Sequence, residues 1–468
     1  MENNRREFLK KSGCALSMIA LATQAGHLGA MSVMAQKVED KSTDLSAAPP
    51  SDYRALVCIL LNGGNDGNNL IVPNHSDANI SNYANYAASR SAQGLAIAQN
   101  QLLPITVPRL SNLTYGLHPS LGAIPQQGGI NNGIHELWAQ GRLAAVVNTG
   151  NLIRPMTKAQ YQQQPTWRPY QLFSHSDQVQ QQQTSRSDTP IPLGWGGKIA
   201  DRTSTTNNPG GQIPMITSIA GTHLFTLGRN TTPLILRDGG TPLNQTLVLN
   251  STIGTDAFSV ARRNMMSELR TIDLGSPYVA ASSEITNQAQ IASNALSSFQ
   301  EVTAPFPNTN LGRQLKQVAR VIKKRTDLTV TRQVFFVELG GFDTHQNQLN
   351  GNNSQNALLA QLSQAMRAFY DEMTAQGISD KVTQFTLSDF GRTMNPAGSG
   401  YGVGSDHAWG NHMFVLGGAV MGGNFYGSLR ADGTGNYFPT LQLGGADDID
   451  TGTNPRGRWL PTTSVEQY

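Results

Sequence analysis

Four short segments hold most of the residues in this chain that could do chemistry. Asn62-Gly63-Gly64-Asn65-Asp66-Gly67-Asn68-Asn69 carries one carboxylate, and Gly340-Gly341-Phe342-Asp343-Thr344-His345 a carboxylate and an imidazole. Ser388-Asp389-Phe390-Gly391-Arg392-Thr393 sets a carboxylate near a guanidinium, and Ser405-Asp406-His407-Ala408-Trp409-Gly410-Asn411-His412 offers two imidazoles. Carboxylate oxygen and neutral imidazole nitrogen are donors that Zn²⁺ and Mn²⁺ accept, whereas Mg²⁺ and Ca²⁺ prefer oxygen alone. Carboxylates gathered without a cation repel one another. Asp66, Asp343 with His345, Asp389, and one of His407 and His412 are therefore candidate ligands of a divalent metal (Zn, Mn, Mg or Ca). Each has a plainer reading as well: Asp66 as a turn residue, Asp389 as a helix cap, the histidines as loop or core residues.

Position makes the grouping persuasive. The segments follow continuous apolar runs at 54–61, 333–339 and 382–387, each of which reads as a strand buried on both faces. Two more runs, at 143–148 and 412–416, have the same look, and helical periodicity marks 134–140 and 355–376. Alternating strands and helices predict an α/β domain with a doubly wound, mostly parallel sheet. In such sheets ligands bind at the C-terminal edge of the strands, which is where the four segments fall. Between the halves, 160–184 is rich in Gln, 185–255 in Thr, Asn, Gly and Pro, and 256–326 reads as two or three helices. The stretch 160–326 is expected to be a large insertion, or cap.

Composition narrows the function. The chain has 468 residues, 38% of them hydrophobic and only 14% charged, with a formal charge of +3. Residues 1–35 take four of the 34 basic and two of the 31 acidic residues, leaving a near-neutral body of 30 and 29. A body without a basic block argues against nucleic acid as a partner. Arg5-Arg6 before Phe8-Leu9-Lys10, a modestly apolar stretch, and Val33-Met34-Ala35 resemble a twin-arginine (Tat) export signal over 1–35, with an ordinary Sec signal or a weak anchor as the other readings. A polar linker follows at 36–52. Periplasmic or extracellular localisation is expected, with the Tat translocase as a transient partner. No later apolar run reaches the length of a transmembrane span. Cys14 falls in the signal, so Cys58 alone remains and no internal disulfide can form. No haem, flavin or iron–sulfur motif is present.

The four segments, together with Gly116-Leu117-His118-Pro119, resemble the bacterial family catalogued as domain of unknown function 1501. Its members are Tat-exported and placed in the alkaline-phosphatase-like superfamily with sulfatases and phosphodiesterases. The likeness runs from about 53 to about 430, weakest in the middle, with 431–468 as a C-terminal extension. It implies two metals held at strand ends and a Ser, Thr or modified Cys nucleophile at a helix start. On that pattern Asp66, Asp343, His345, Asp389 and His407 hold metal. Thr157 is the candidate nucleophile on that pattern, although the sequence alone favours a plain N-cap there, and Arg154, Lys158 and Arg392 would suit an anionic substrate. Two departures stand out. The usual Asp-x-x-x-His is here Asp343-x-His345, and Phe390 follows Asp389 where a histidine is usual. A site missing one histidine holds one metal, a harder metal, or none, and His175 and Asp177 are candidate replacements. The expected function is an exported metal-dependent hydrolase of phosphate or sulfate esters, acting on a small anionic or glycan substrate. The alternative is a non-catalytic cell-envelope protein that binds a glycan, a lipid headgroup or a protein partner through its amide-rich middle.

Overall fold

The structure, a computed structural model, describes residues 52–123, 132–246, 255–272 and 274–468. The export signal expected at 1–35 and the linker at 36–52, Asp52 excepted, lie outside the described residues. In chain order the strands are β1 (Arg54–Leu61), β2 (Ile71–Pro73), β3 (Leu103–Val107), β4 (Leu113–Leu117), β5 (Leu143–Gly150) and β6 (Ile216–Ser218). They continue with β7 (Leu234–Ile235), β8 (Arg332–Leu339), β9 (Val382–Ser388), β10 (Asn411–Gly417), β11 (Phe425–Tyr426) and β12 (Thr463–Ser464). The helices are α1 (Gly67–Leu70), α2 (Tyr83–Arg90), α3 (Glu136–Ala139), α4 (Lys158–Gln163) and α5 (His175–Thr184). After them come α6 (Trp195–Asn207), α7 (Ala257–Leu269), α8 (Pro277–Ala295), α9 (Asn310–Lys323) and α10 (Gln355–Ala375).

The main sheet has nine strands in the order β11-β5-β10-β9-β1-β8-β6-β7, with β12 pairing β5. β1 lies parallel to both β8 and β9. β10 pairs antiparallel with β5 and with β9, so it alone of these strands runs against the rest. Successive side chains of a strand point to opposite faces, and both faces are covered here. Val57, Ile59 and Leu61 of β1 join one core with Leu315 and Val318 of α9 and Leu362 and Phe369 of α10. Cys58 and Leu60 join the other, with Ala200 of α6 and Phe225. Burial on both sides is why these strands read as unbroken apolar runs, and each fully buried Leu or Phe contributes roughly 1.5–3 kcal/mol. This is the doubly wound, mostly parallel α/β architecture that the sequence leads one to expect. A second, three-stranded antiparallel sheet (β2-β4-β3) packs beside it.

Two stretches do more for the sheet than their sequence suggests. Within 160–326, β6 pairs parallel with β8 and β7 with β6, so the middle of the chain extends the sheet itself. Near the C-terminus β12 pairs parallel with β5, and the Tyr468 hydroxyl donates to the Phe414 carbonyl at 2.9 Å. Among the described residues no helix is long and apolar enough to cross a membrane. The parallel strands β1, β8 and β9 all finish at one edge, and their turns carry the candidate residues.

Candidate metal centre

At that edge three turns interlock. After β1, Gly63 (φ +114°) and Gly64 (φ +82°) adopt conformations that L side chains resist, and they sit where a Cβ would lie 2.4 Å from the Asp343 nitrogen and 2.6 Å from the Phe390 ring. The Gly63 amide donates to both oxygens of buried Asp389, at 3.1 and 3.2 Å. The turn after β8 projects Asp343 and His345, the loop before β10 supplies Asp406 and His407, and α5 opens with His175.

Four of these side chains converge. His345, His175 and His407 bring their Nε2 atoms to 3.1, 3.4 and 3.4 Å from Asp343 Oδ1. His345 Nε2 and His407 Nε2 are 2.9 Å apart. Each ring is fixed from behind: His175 Nδ1 lies 2.7 Å from Asp389 Oδ2, His345 Nδ1 3.0 Å from Asp406 Oδ1, and His407 Nδ1 2.8 Å from the Phe173 carbonyl. Carboxylates and carbonyls only accept, so each Nδ1 carries the proton. The Nε2 atoms of neutral rings therefore present lone pairs. Two lone pairs at hydrogen-bond distance require a cation or an extra proton between them, and His175 Nε2 is buried with no hydrogen-bond partner. Three imidazole nitrogens and a carboxylate oxygen, each imidazole oriented by an oxygen acceptor, form a candidate metal-ligand set with its supporting shell. His175, Asp343 and His407 place one donor atom each within 4.8 Å of one another.

The electrostatics of the cluster follow from its packing. Burial, with Arg392 and the other imidazoles adding to it, holds His407 below the usual histidine range. Its hydrogen bond to Asp389 raises His175 despite partial burial, so proton and cation compete for Nε2. Burial pushes the Asp343 carboxyl up, but Arg392 and the histidines outweigh it and keep the group below the ordinary carboxylate range. Phe390, where a histidine is usual, packs against His175 and His407 with ring centroids at 4.7 and 4.6 Å.

The description "Protein of unknown function (DUF1501)" matches residues 53–439, most of the chain. The chain belongs to the DUF1501 family. No curated protein matches its sequence. Among solved structures, it is similar to the C-terminal periplasmic domain of EcEptC from Escherichia coli, in a complex with Zn. The two are 10% identical, with 80% of this chain and 78% of that one covered and a TM-score of 0.27. It is also similar to PsFucS1 sulfatase from Pseudoalteromonas sp., at 9% identity, covering 86% and 68%, with a TM-score of 0.28. At such scores the chemistry has to be read from the residues.

In this DUF1501 chain the residues singled out from sequence divide into two groups. Asp343, His345, Asp389 and His407 come together, with Asp389 behind His175 instead of among the converging donors. His175, expected only as a replacement ligand, is a full member. Asp66 goes elsewhere. It caps α1 through Asn68 N and forms a buried, two-pronged pair with Arg90, at 2.6 and 3.0 Å. Gln348 also donates to it, at 2.6 Å. Arg392 is fully buried and committed to the carbonyls of Gly63, Gly64, Phe342 and Ser405 and to Asp343. It positions the turns and is not free to meet a substrate anion. Thr157 caps α4 in a capping box with Gln160, Arg154 lies over the Trp167 ring, and Lys158 donates to the Gly444 and Gly445 carbonyls. Among the described residues, no hydrogen bond, ion pair or ring contact joins these three to the histidines. His412 is buried, with its pKa pushed down to about 3, and accepts from the Asn148 amide. Sequence reading passed over Asp406, although it adjoins His407, and Ser174, which adjoins His175.

Proposed function

We propose that this protein is an exported hydrolase of phosphate or sulfate esters that uses one divalent metal ion. The observation that carries this reading is the convergence of three oriented imidazoles on Asp343. His175, His345, His407 and Asp343 would hold the ion, and a set of three nitrogens and one oxygen favours Zn²⁺ or Mn²⁺ over Mg²⁺ or Ca²⁺. Such an ion supplies charge stabilisation to an oxygen of the group being transferred.

Ser174 replaces Thr157 as the candidate nucleophile. It lies between Phe173, whose carbonyl accepts from His407, and His175, so its backbone is tied to the centre on both sides. Phe173 holds a left-handed conformation (φ +74°), unusual for a bulky residue and costly unless the surroundings impose it. The Ser174 hydroxyl donates to Asp177 Oδ2 at 2.5 Å, so Asp177 can take its proton as Oγ attacks phosphorus or sulfur. The alkoxide leaves with a proton from solvent, and water then releases the group from Ser174. At the start of α5, a helix of 10 residues, amide dipoles favour the anionic group.

Elemental analysis of protein purified without chelator tests the reading. About one equivalent of metal is expected, lost in a His345→Ala/His407→Ala variant together with ester hydrolysis. Ser174→Ala is expected to keep the metal and lose activity on the order of a thousandfold or more. Metal absent from the wild type, or unchanged in the double variant, removes the hydrolase reading and leaves the binding-protein alternative. Export is proposed to follow the Tat route: changing Arg5 and Arg6 to Lys should leave precursor in the cytoplasm on fractionation, and unchanged export would point to Sec.

A further inference from the structure

A cavity of about 690 Å³ opens at the C-terminal ends of β6, β7 and β8, and the reaction described above does not use it. Gly340, at its wall, opens the turn that carries Asp343, three residues further on. Its lining is polar, with Arg237, Asp238, Thr241, Asn310, Gln314 and Glu338 prominent and no aromatic among the described lining residues. One group there is held with unusual care. Gln314 accepts from the Glu338 amide at 2.9 Å and donates to the Glu338 carbonyl at 2.8 Å, which fixes the backbone. Asn62 Nδ2 donates to Glu338 Oε1 at 2.8 Å, and His223 Nε2 lies 3.1 Å from Oε2, which fixes the side chain. Burial pushes the Glu338 carboxyl up, yet His223 and Asn62 prevail and keep it ionised. Asp238 is tethered to Arg313 at 3.0 Å, while Arg237 lies exposed. Asn310, also in the lining, accepts from Gln314 at Oδ1, and its amide nitrogen keeps its donors.

We propose that this cavity is the subsite for a polyhydroxylated group, such as a glycosyl residue, carried by the ester that the metal centre cleaves; this rests on the hydrolase reading above. Hydroxyls both donate and accept. A pre-oriented carboxylate can take two neighbouring hydroxyl protons while Arg237 and Asn310 donate to the ring or hydroxyl oxygens. A polar wall of this kind offers little to an acyl chain or an aryl ring, whose burial would set the guanidinium of Arg237 and the carboxylate of Glu338 against apolar surface.

The metal-loaded full chain can be tested on hexose 6-phosphates and 6-sulfates against phenyl phosphate. The wild type should favour a hexose ester by kcat/KM, and Glu338→Gln, close in shape, should cut that preference about tenfold or more, because a site built to bond hydroxyls discriminates strongly. Arg237→Ala should cut it too, mainly through KM. A wild type that favours phenyl phosphate, or variants that change both esters equally, overturns the subsite. If no ester is cleaved at all, calorimetry with hexose 6-phosphate decides separately. Binding that Glu338→Gln abolishes keeps the subsite and sinks only the hydrolase; absent binding sinks the subsite as well.

Discussion

Asp66→Ala should destabilise the protein by about 3–5 kcal/mol while leaving its metal content unchanged, because it breaks a buried ion pair and strands one partner. The Asp66 and Arg90 side chains are 1% and 0% exposed. Beyond Asp66, the Arg90 guanidinium donates to the Met394 and Thr393 carbonyls, both at 3.0 Å, and to Asn69 Oδ1 at 2.6 Å. It therefore joins α2 to the turn after β1 and to the segment that follows Arg392. Deleting the carboxylate leaves this charge buried without its counter-ion and removes the acceptor for Gln348 and for the Asn68 amide. Asp66→Asn keeps the volume and one acceptor oxygen, and should cost less. Denaturant titration alongside elemental analysis separates the two roles. A midpoint close to wild type together with lost metal would make Asp66 a ligand after all, and would require Arg90 to swing away when the ion binds.

Asp66 shows where sequence reading stops. Its type and its place after an apolar strand are those of a metal ligand, and the opposing charge lies on a helix 24 residues later that nothing in the local pattern connects to it. Asp343, His345 and His407 were legible because they lie within a few residues of long strands or in a dense polar motif. The strands themselves were legible because burial on both faces writes an unbroken apolar run. β6, β7, β11 and β12 have two or three residues each, too few to show a period, so the middle and end of the chain looked peripheral to the sheet. The proposed nucleophile was hard to read from the sequence for a different reason. Thr157 and Ser174 both precede Gln-rich helices after β5, and the choice between them depends on the left-handed turn at Phe173 that brings α5 to the strand ends. Phe does not advertise such a turn as Gly would. Once His175 arrives there, the Phe at 390 becomes intelligible as packing beneath two imidazoles.

Arg392→Met should cost at least about 3 kcal/mol of stability, since each buried carbonyl left unpaired costs about 1–3 kcal/mol, and should weaken metal affinity about 10–100-fold, the usual penalty for losing a group that orients a ligand. One planar guanidinium here bridges the turn after β1, through Gly63 and Gly64, the turn after β8, through Phe342 and Asp343, and the loop before His407, through Ser405. Those are the three segments that set the distance between Asp343 and His407. Arg392→Lys keeps the charge but offers a point donor in place of a fork, so it should rescue little of either property. Chelator competition gives the affinity and chemical unfolding the stability. The opposite pattern, with metal bound as in the wild type and turnover alone lost, would mean that the guanidinium leaves its carbonyls to meet the substrate. Arg392 would then be the anion-binding residue that its position after β9 first suggested. Complete burial, with every bridged carbonyl left unpaired by such a movement, is the physical reason to expect the structural outcome.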